Sequence, residues 1–240
     1  GVRSALRAAH FGGTAPRFTG HVAWRALVPA DRAPRGAFPD AAWVTMGPGR
    51  HLVTYPLRGG ALWNVVAVEE RTAWAEEGWS APDDPDRLRA AFKGFHDGVR
   101  RLLAGVDRTF LWGLFDHPPL PAWARGRIAL LGDAAHPMLP FLAQGAAMAL
   151  EDAWVLAAEL AASPDIPSGL AAYEDRRKPR ATRVQRAAAR NARIYHLATP
   201  GLREGLHIAL RTASATAPGL LLGRFDWLYG ANVVGPGATD

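Results

Sequence analysis

The chain has 240 residues, 49% of them hydrophobic, a formal net charge of +6 and no cysteine. That length supports one large domain or two smaller ones with real cores, and the missing cysteine excludes disulfides, thiolate metal sites and iron–sulfur ligation. No apolar run reaches the ~20 residues a membrane span needs. Residues 1–15 carry Arg3, Arg7 and His10 without the apolar core of a signal peptide, so a cytoplasmic location is expected.

Among the basic residues only Lys93 and Lys178 are lysines, which together with the abundant alanine reads as the bias of a GC-rich coding sequence. A nucleic-acid reader would cluster basic residues with aromatics or carry a known module. The nine tryptophans are scattered, and no nucleic-acid partner is expected.

The chain opens Gly1-Val2-Arg3-Ser4-Ala5-Leu6-Arg7, with no Gly-x-Gly-x-x-Gly turn ahead of it. Phe18–Leu27 alternates as a strand does; in it, Arg25 reads as a solvated strand arginine ahead of a partner for a substrate carboxylate. A Pro- and Arg-rich loop follows over 29–39. Trp43–Met46, His51–Pro56 and Leu62–Glu69 are short β-like runs separated by Gly47-Pro48-Gly49 and Gly59-Gly60, the spacing of an antiparallel meander. His51 and Tyr55 stand four apart and so share one face of their strand. An imidazole and a phenol there can orient an acidic aromatic substrate and shuttle its ring-hydroxyl proton; the alternative is a pair packed against another sheet layer. Asp84-Pro85-Asp86 predicts an amphipathic helix running to about Gly105, with Leu88, Phe92, Phe95 and Val99 on one side. Thr109–Phe115 is a further strand, and Pro118, Pro119 and Pro121 mark a crossover.

Residues 127–131 read as a buried strand leading to Gly132-Asp133. A loop bounded by Pro137 and Pro140 comes next, then a helix over Gly145–Ala162. In α/β proteins the carboxyl end of a strand facing a helix N-terminus is a nucleotide-binding place. Asp133 can accept hydrogen bonds from ligand hydroxyls there. The unpaired amides around Gly145 and Ala146 can meet an electron-rich group with the helix dipole behind them. A purely structural role for Asp133, as a helix cap, explains neither the proline-bounded loop nor the run Gln144-Gly145-Ala146. His136, next to this turn, is tempting as a base. The helix is apolar nearly all round and is expected to be buried.

Ser163–Pro167 breaks that helix. A second runs from about 168 to 197 with a disturbance at Pro179, and a third covers roughly 202–213. Arg176, Arg177, Lys178, Arg180, Arg183, Arg186, Arg190 and Arg193 form an acid-free stretch. The last four recur at 3, 4 and 3 residues, one stripe of a helix. It reads first as a solvated face, and second as a docking face for an acidic partner, a subunit or an anionic cofactor. Its opposite face is mostly alanine, which does not suit membrane binding. Gly-x-Ser-x-Gly, His-Glu-x-x-His and phosphate-loop motifs are absent, and no metal site is expected.

The stretch from Gly126 to Asp152 closely resembles the second FAD fingerprint of single-component flavin aromatic hydroxylases, the group that includes salicylate and 6-hydroxynicotinate monooxygenases. The resemblance implies that Asp133 holds the ribityl chain, that Pro140 lies beside the flavin, and that the Gln144, Gly145, Ala146 and Ala147 backbone faces its N1/C2 edge. Ala147 stands where many members carry Asn; the backbone amides are unaffected. The resemblance also implies a structural job for His136, fixing the turn into Pro137. The first residues resemble the close of a second family signature, in which Arg7 matches an arginine implicated in pyridine-nucleotide and FAD contacts. Both match a C-terminal portion of a longer enzyme, with about 150 or more residues of dinucleotide-binding fold expected upstream. The His-x-x-x-Tyr spacing of His51 and Tyr55 occurs in hydroxynicotinate-type members, lining the substrate site, and Arg224–Gly230 resembles the family's closing segment.

The implied fold is α/β (α+β): a partial FAD-binding three-layer fold with an inserted antiparallel β-sheet substrate domain and C-terminal helices. The expected boundaries are 1–14 for the end of the first signature, 15–120 for the substrate domain, 121–198 for the rest of the FAD-binding domain and 199–240 for a helical segment. The implied activity is an NAD(P)H-dependent monooxygenase. FAD is reduced, O2 adds to the flavin C4a carbon, and the distal oxygen of the hydroperoxide passes to a phenolic or hydroxypyridine-type ring. Expected partners are that small aromatic substrate and O2, with a homodimer as the assembly considered. Two alternatives stay open: a non-catalytic fragment or binding module with weak FAD affinity, and a related flavin epoxidase acting on a non-aromatic substrate.

Overall fold

The computed structural model describes residues 1–12, 15–74 and 81–234. The chain divides into two compact units. One comprises Gly1–Arg17, Phe115–Ala192 and Pro200–Asp240; the other comprises Phe18–Leu114 and Arg193–Thr199. Residues 200–240 thus cluster with the first unit, and the seven residues after position 192 with the second.

The sheet unit is built on six strands in the order β2-β3-β4-β1-β6-β5: β1 Arg17–Pro29, β2 Trp43–Gly47, β3 Arg50–Leu57, β4 Leu62–Glu70, β5 Ala81–Asp83 and β6 Thr109–Asp116. The three predicted meander strands pair antiparallel as β2/β3 and β3/β4, and β4 pairs antiparallel with β1. Gly47 opposite Arg50 leaves Pro48-Gly49 as a two-residue loop. Gly49 adopts φ +65°, open to glycine at little cost.

Alternation gives the sheet two unlike faces. Val22, Trp24, Ala26, Val28, Leu52, Val65, Ala67 and Leu111 pack with Leu88, Phe92, Val99, Leu102 and Leu103 into one apolar core. His21, Arg25, His51, Tyr55 and Asn64 fall on the opposite parity and so on the other face.

The single helix expected over 84–105 is two helices, α2 Pro85–Ala91 and α3 Asp97–Ala104. The break serves packing. Phe92 is fully buried and Phe95 packs against the same core, their rings 4.8 Å apart. Gly94 lies in the turn between them, and His96 opens α3 in an extended conformation.

The helical unit starts with α1 Ala5–Phe11, capped by the Ser4 hydroxyl, which accepts from the Arg7 amide, and closed by Gly12 at φ 67°. Its remaining elements are β7 Ala124–Arg125, β8 Ile128–Ala129, α4 Gly145–Ala162, α5 Ile166–Tyr195, α6 Leu202–Thr216, α7 Pro218–Gly223 and α8 Asp226–Tyr229. Two expectations are corrected here. The strand expected over 127–131 shrinks to β8, which pairs only with β7, and Leu131 is 40% exposed. Among the described residues no other strand flanks it; Leu130 is buried with Trp123, Val155 and Tyr173, and Ile128 and Ala129 pack against that cluster, so the burial comes from side chains outside a sheet. Helix α4 has the expected bounds but is buried on one side only. Met148, Asp152 and Val155 are covered, while Leu150 is 74% and Trp154 51% exposed. Pro179 lies inside α5, a helix of 30 residues that continues through it. Among the described residues, no helix is long and apolar enough to cross a membrane.

Candidate functional site

Two groups of chemistry-bearing residues stand out, one in each unit. In the helical unit, the chain leaves β8 through extended Leu131 and turns sharply at Gly132–Ala134, a single 3₁₀ turn whose Gly132 carbonyl accepts from the amides of Ala135 and His136. Gly132 adopts φ +55°, and a Cβ there would come within 3.2 Å of the Ala149 Cβ. Only glycine lets the strand end approach α4 so closely. Gly132→Ala is expected to cost about 1–2 kcal/mol from the left-handed backbone alone, read as a lowered urea midpoint; an unchanged midpoint would contradict that account of the turn.

The turn presents Asp133 to solvent. The loop beyond it is held by its own carbonyls. Gln185 donates to Pro137 O at 2.8 Å, Asn191 to Phe141 O at 3.3 Å and the Tyr229 hydroxyl to Leu142 O at 3.3 Å. Ala143 is left-handed at φ 53°, one of two non-glycine residues so placed among those described. Such strain persists where the surroundings over-determine a conformation, often at ligand sites.

Helix α4 then starts at Gly145 with no side-chain cap and no acid in its first turn. The amides of Gly145, Ala146 and Ala147 have no acceptor within the helix, and a Cβ built at Gly145 meets nothing within 4 Å. An exposed carboxylate and an uncapped helix N-terminus thus flank a rigid loop. That donor and acceptor set fits a group carrying hydroxyls at one end and an electron-rich carbonyl edge at the other.

What holds this loop was only partly legible in the sequence. Asp152, fully buried on α4, accepts from the Gly132 amide at 2.9 Å, meets His136 Nε2 at 2.6 Å and accepts from Arg177 Nε at 2.9 Å. Burial by itself would raise the Asp152 carboxyl pKa; the His136 bond, the Gly132 amide and Arg177 outweigh it and hold it below the usual carboxylate range. Glu151 takes Arg177 at 2.7 Å and Arg180 through two bonds of 2.9 Å. Arg177 and Arg180 are therefore buried, a correction to their place in a solvated basic face. Arg183, Arg186, Arg190 and Arg193 are exposed. Two adjacent acids on α4, Glu151 and Asp152, and two arginines three apart on α5, Arg177 and Arg180, were the available signal.

The structure buries Arg7. Its guanidinium donates to the carbonyls of Ala134 at 2.9 Å, Ala135 at 3.1 Å and Pro118 at 3.3 Å, tying α1 to the Asp133 turn. It also borders a cavity of about 280 Å³ with Arg3 and His117. Pro140 is exposed, and Gln144 is buried as the residue preceding α4.

In the sheet unit, His51 and Tyr55 share the face away from the apolar core. Tyr55 is half-buried and lies opposite Asn64 in the β3/β4 register. Asn64 is 3% exposed, and its side-chain nitrogen has no hydrogen-bond partner among the described residues. His51 is 1% exposed. Its Nδ1 lies 2.6 Å from His196 Nε2, and His196 Nδ1 lies 3.1 Å from Glu70 Oε1. Burial, then the neighbouring His196 and His21, push the His51 pKa down to about 3. Burial and His21 lower His196 to about 4 against the opposing pull of Glu70. Nothing in the sequence linked His51 to a residue 145 positions away. Asn64 was missed too, though its place opposite Tyr55 follows once the hairpin register is known.

Residues 42–188 match the family model described as an FAD binding domain. The chain is 39% identical over 233 residues to the 3-amino-4-hydroxybenzoate 2-monooxygenase PtnB3 of Streptomyces platensis, covering 96% of this chain and 57% of that protein. It is 39% identical over 193 residues to the 6-hydroxynicotinate 3-monooxygenase of Bordetella bronchiseptica, covering 78% of this chain and 50% of that protein. A solved salicylate hydroxylase substrate complex superposes with a TM-score of 0.79 at 31% identity, over 95% of this chain and 58% of that one. The chain thus spans little more than half the length of these relatives. The chain belongs to the FAD-binding family of flavin-dependent aromatic-ring monooxygenases.

Proposed function

We propose that the protein is an NAD(P)H- and O2-dependent monooxygenase that hydroxylates a phenolic or hydroxypyridine-type ring. The observation that carries this reading is the exposed Asp133 carboxylate beside an α4 N-terminus that no side chain caps. FAD, when bound, supplies the activation of O2 and the transfer of one oxygen atom. The chain's residues do the rest. Asp133 accepts hydrogen bonds from the cofactor's chain of hydroxyls, and the Gly145, Ala146 and Ala147 amides stabilise negative charge at its ring edge through the helix dipole. Pro140 and the Gln144 backbone complete the wall. Arg7 acts through the carbonyls it holds at Ala134 and Ala135. On the sheet face, His51 takes the proton of the substrate's ring hydroxyl, making the ring richer in electrons, while Tyr55 and Asn64 orient the substrate by hydrogen bonds.

The test uses the full-length protein purified with FAD. Salicylates, hydroxybenzoates and hydroxypyridines are screened for stimulated NAD(P)H oxidation and for a product carrying one more oxygen. Stimulation with stoichiometric hydroxylation of one class is the expected result. Flavin loading without any hydroxylated product, or hydroxylation of non-aromatic alkenes alone, would overturn the assignment. Asp133→Ala is expected to weaken FAD binding about tenfold, the loss of roughly 1.4 kcal/mol of charged hydrogen bonding, measured by flavin fluorescence titration. Unchanged affinity would remove Asp133 from the cofactor site.

A further inference from the structure

We propose that His51, His196 and Glu70 form a proton relay that carries the substrate's ring-hydroxyl proton from the buried sheet face to solvent. The relay rests on the reading of His51 as the group that receives that proton. Its warrant is a continuous line of short contacts: His51 Nδ1 to His196 Nε2 at 2.6 Å, then His196 Nδ1 to Glu70 Oε1 at 3.1 Å. The line runs outward. The His51 and His196 side chains are almost fully covered, whereas the Glu70 side chain is 53% exposed. His196 is fixed where it stands, since its carbonyl accepts from the Gly49 amide at 3.1 Å.

The tautomers fit one direction. A neutral His51 with its proton on Nδ1 donates to His196 Nε2, and a neutral His196 with its proton on Nδ1 donates to the Glu70 carboxylate. When the substrate hydroxyl gives its proton to His51 Nε2, the Nδ1 proton passes to His196 Nε2 and the His196 Nδ1 proton passes to Glu70. The O–H bond of the substrate breaks, one carboxyl O–H forms on Glu70, and both imidazoles end neutral as the opposite tautomers. Glu70 then releases the proton to water. Burial makes an imidazolium at either histidine costly, so a proton does not rest on the way. The groups around the line are His21 from β1, Arg50 from β3, paired with Glu69 at 3.1 Å, and Tyr195, whose ring centroid lies 5.1 Å from that of His51.

The same neighbourhood offers a rival reading, because the ligand atoms of His21, Glu70 and His196 lie within 4.8 Å of one another and could converge on a metal ion. The experiment separates the two. In the FAD-loaded full-length enzyme, Glu70→Gln keeps an acceptor oxygen but removes the proton-accepting carboxylate, and His196→Ala cuts the line. Formation of the bound phenolate is followed by stopped-flow absorbance, and proton release by an indicator dye. Both variants are expected to slow the two signals about tenfold or more with substrate Kd unchanged. Added imidazole should restore the His196→Ala rate, a rescue that a merely structural histidine would not show.

Wild-type rates in Glu70→Gln, together with a lost signal in His51→Ala, would overturn the relay and leave the hydroxylase reading standing. If the wild-type enzyme forms no phenolate and hydroxylates no phenol, the hydroxylase reading fails first. A wild-type rate that is lost on chelation and restored by Zn²⁺ would replace the relay with a metal site.

Discussion

Asp152→Ala is expected to destabilise the helical unit by about 3–5 kcal/mol, the usual cost of deleting one partner from a buried ion pair. The carboxylate is fully buried and serves three groups at once: the Gly132 amide, His136 and Arg177. Removing it leaves the Arg177 guanidinium, itself fully buried, with Glu151 as its remaining carboxylate. It also frees the Gly132 turn that aims Asp133. Urea unfolding should show the lowered midpoint, and Asp152→Asn should fall between the two, since it keeps a hydrogen-bond acceptor without the charge. The sign of the pH dependence follows from the lowered Asp152 pKa. Its contribution to stability is complete above the ordinary carboxylate range and is lost as pH falls below it. A variant whose unfolding midpoint matches wild type would show that the network contributes nothing to the fold.

His51→Ala is expected to lower the hydroxylation rate by about 10²–10⁴-fold, the span typical of a lost general base. The substrate would then be presented with its ring hydroxyl protonated, and its ring would be less open to an electrophilic oxygen. Consumption of NAD(P)H should continue with the oxygen diverted to peroxide, so the ratio of product to NAD(P)H consumed is the measurement. Tyr55→Phe should have the same sign and a smaller size, because it deletes one orienting hydroxyl and leaves the proton acceptor in place. Full coupling in His51→Ala would exclude it from the chemistry. The volume of the deleted ring is a separate effect; His51→Gln, which keeps most of it, should remain as slow as the alanine variant if proton transfer is the cause.

The elements best read from the sequence were those with strong local signals. The meander over 43–70 follows from alternation and glycine-marked turns, and it appears as β2, β3 and β4 in the expected order. Helix α4 begins where the run Gln144-Gly145 placed it. Errors came where periodicity was asked to report burial. The apolar circumference of α4 predicted a covered helix, yet Leu150 and Trp154 are exposed, because hydropathy states what a side chain favours and not which neighbours are present. Periodicity likewise ran α2 and α3 together, since Leu88, Phe92 and Val99 all serve one core whether or not the backbone between them is helical.

The order of the acidic turn, the proline-bounded loop and the helix N-terminus is a local property, written in some 25 contiguous residues and readable there. The partners of Asp152, the burial of Arg177 and Arg180 inside a stretch that looks solvated, and the contact of His51 with His196 were settled only by the fold. Each joins residues far apart in the chain, and a one-dimensional pattern carries no information about which distant side chain will fill a given hydrogen bond.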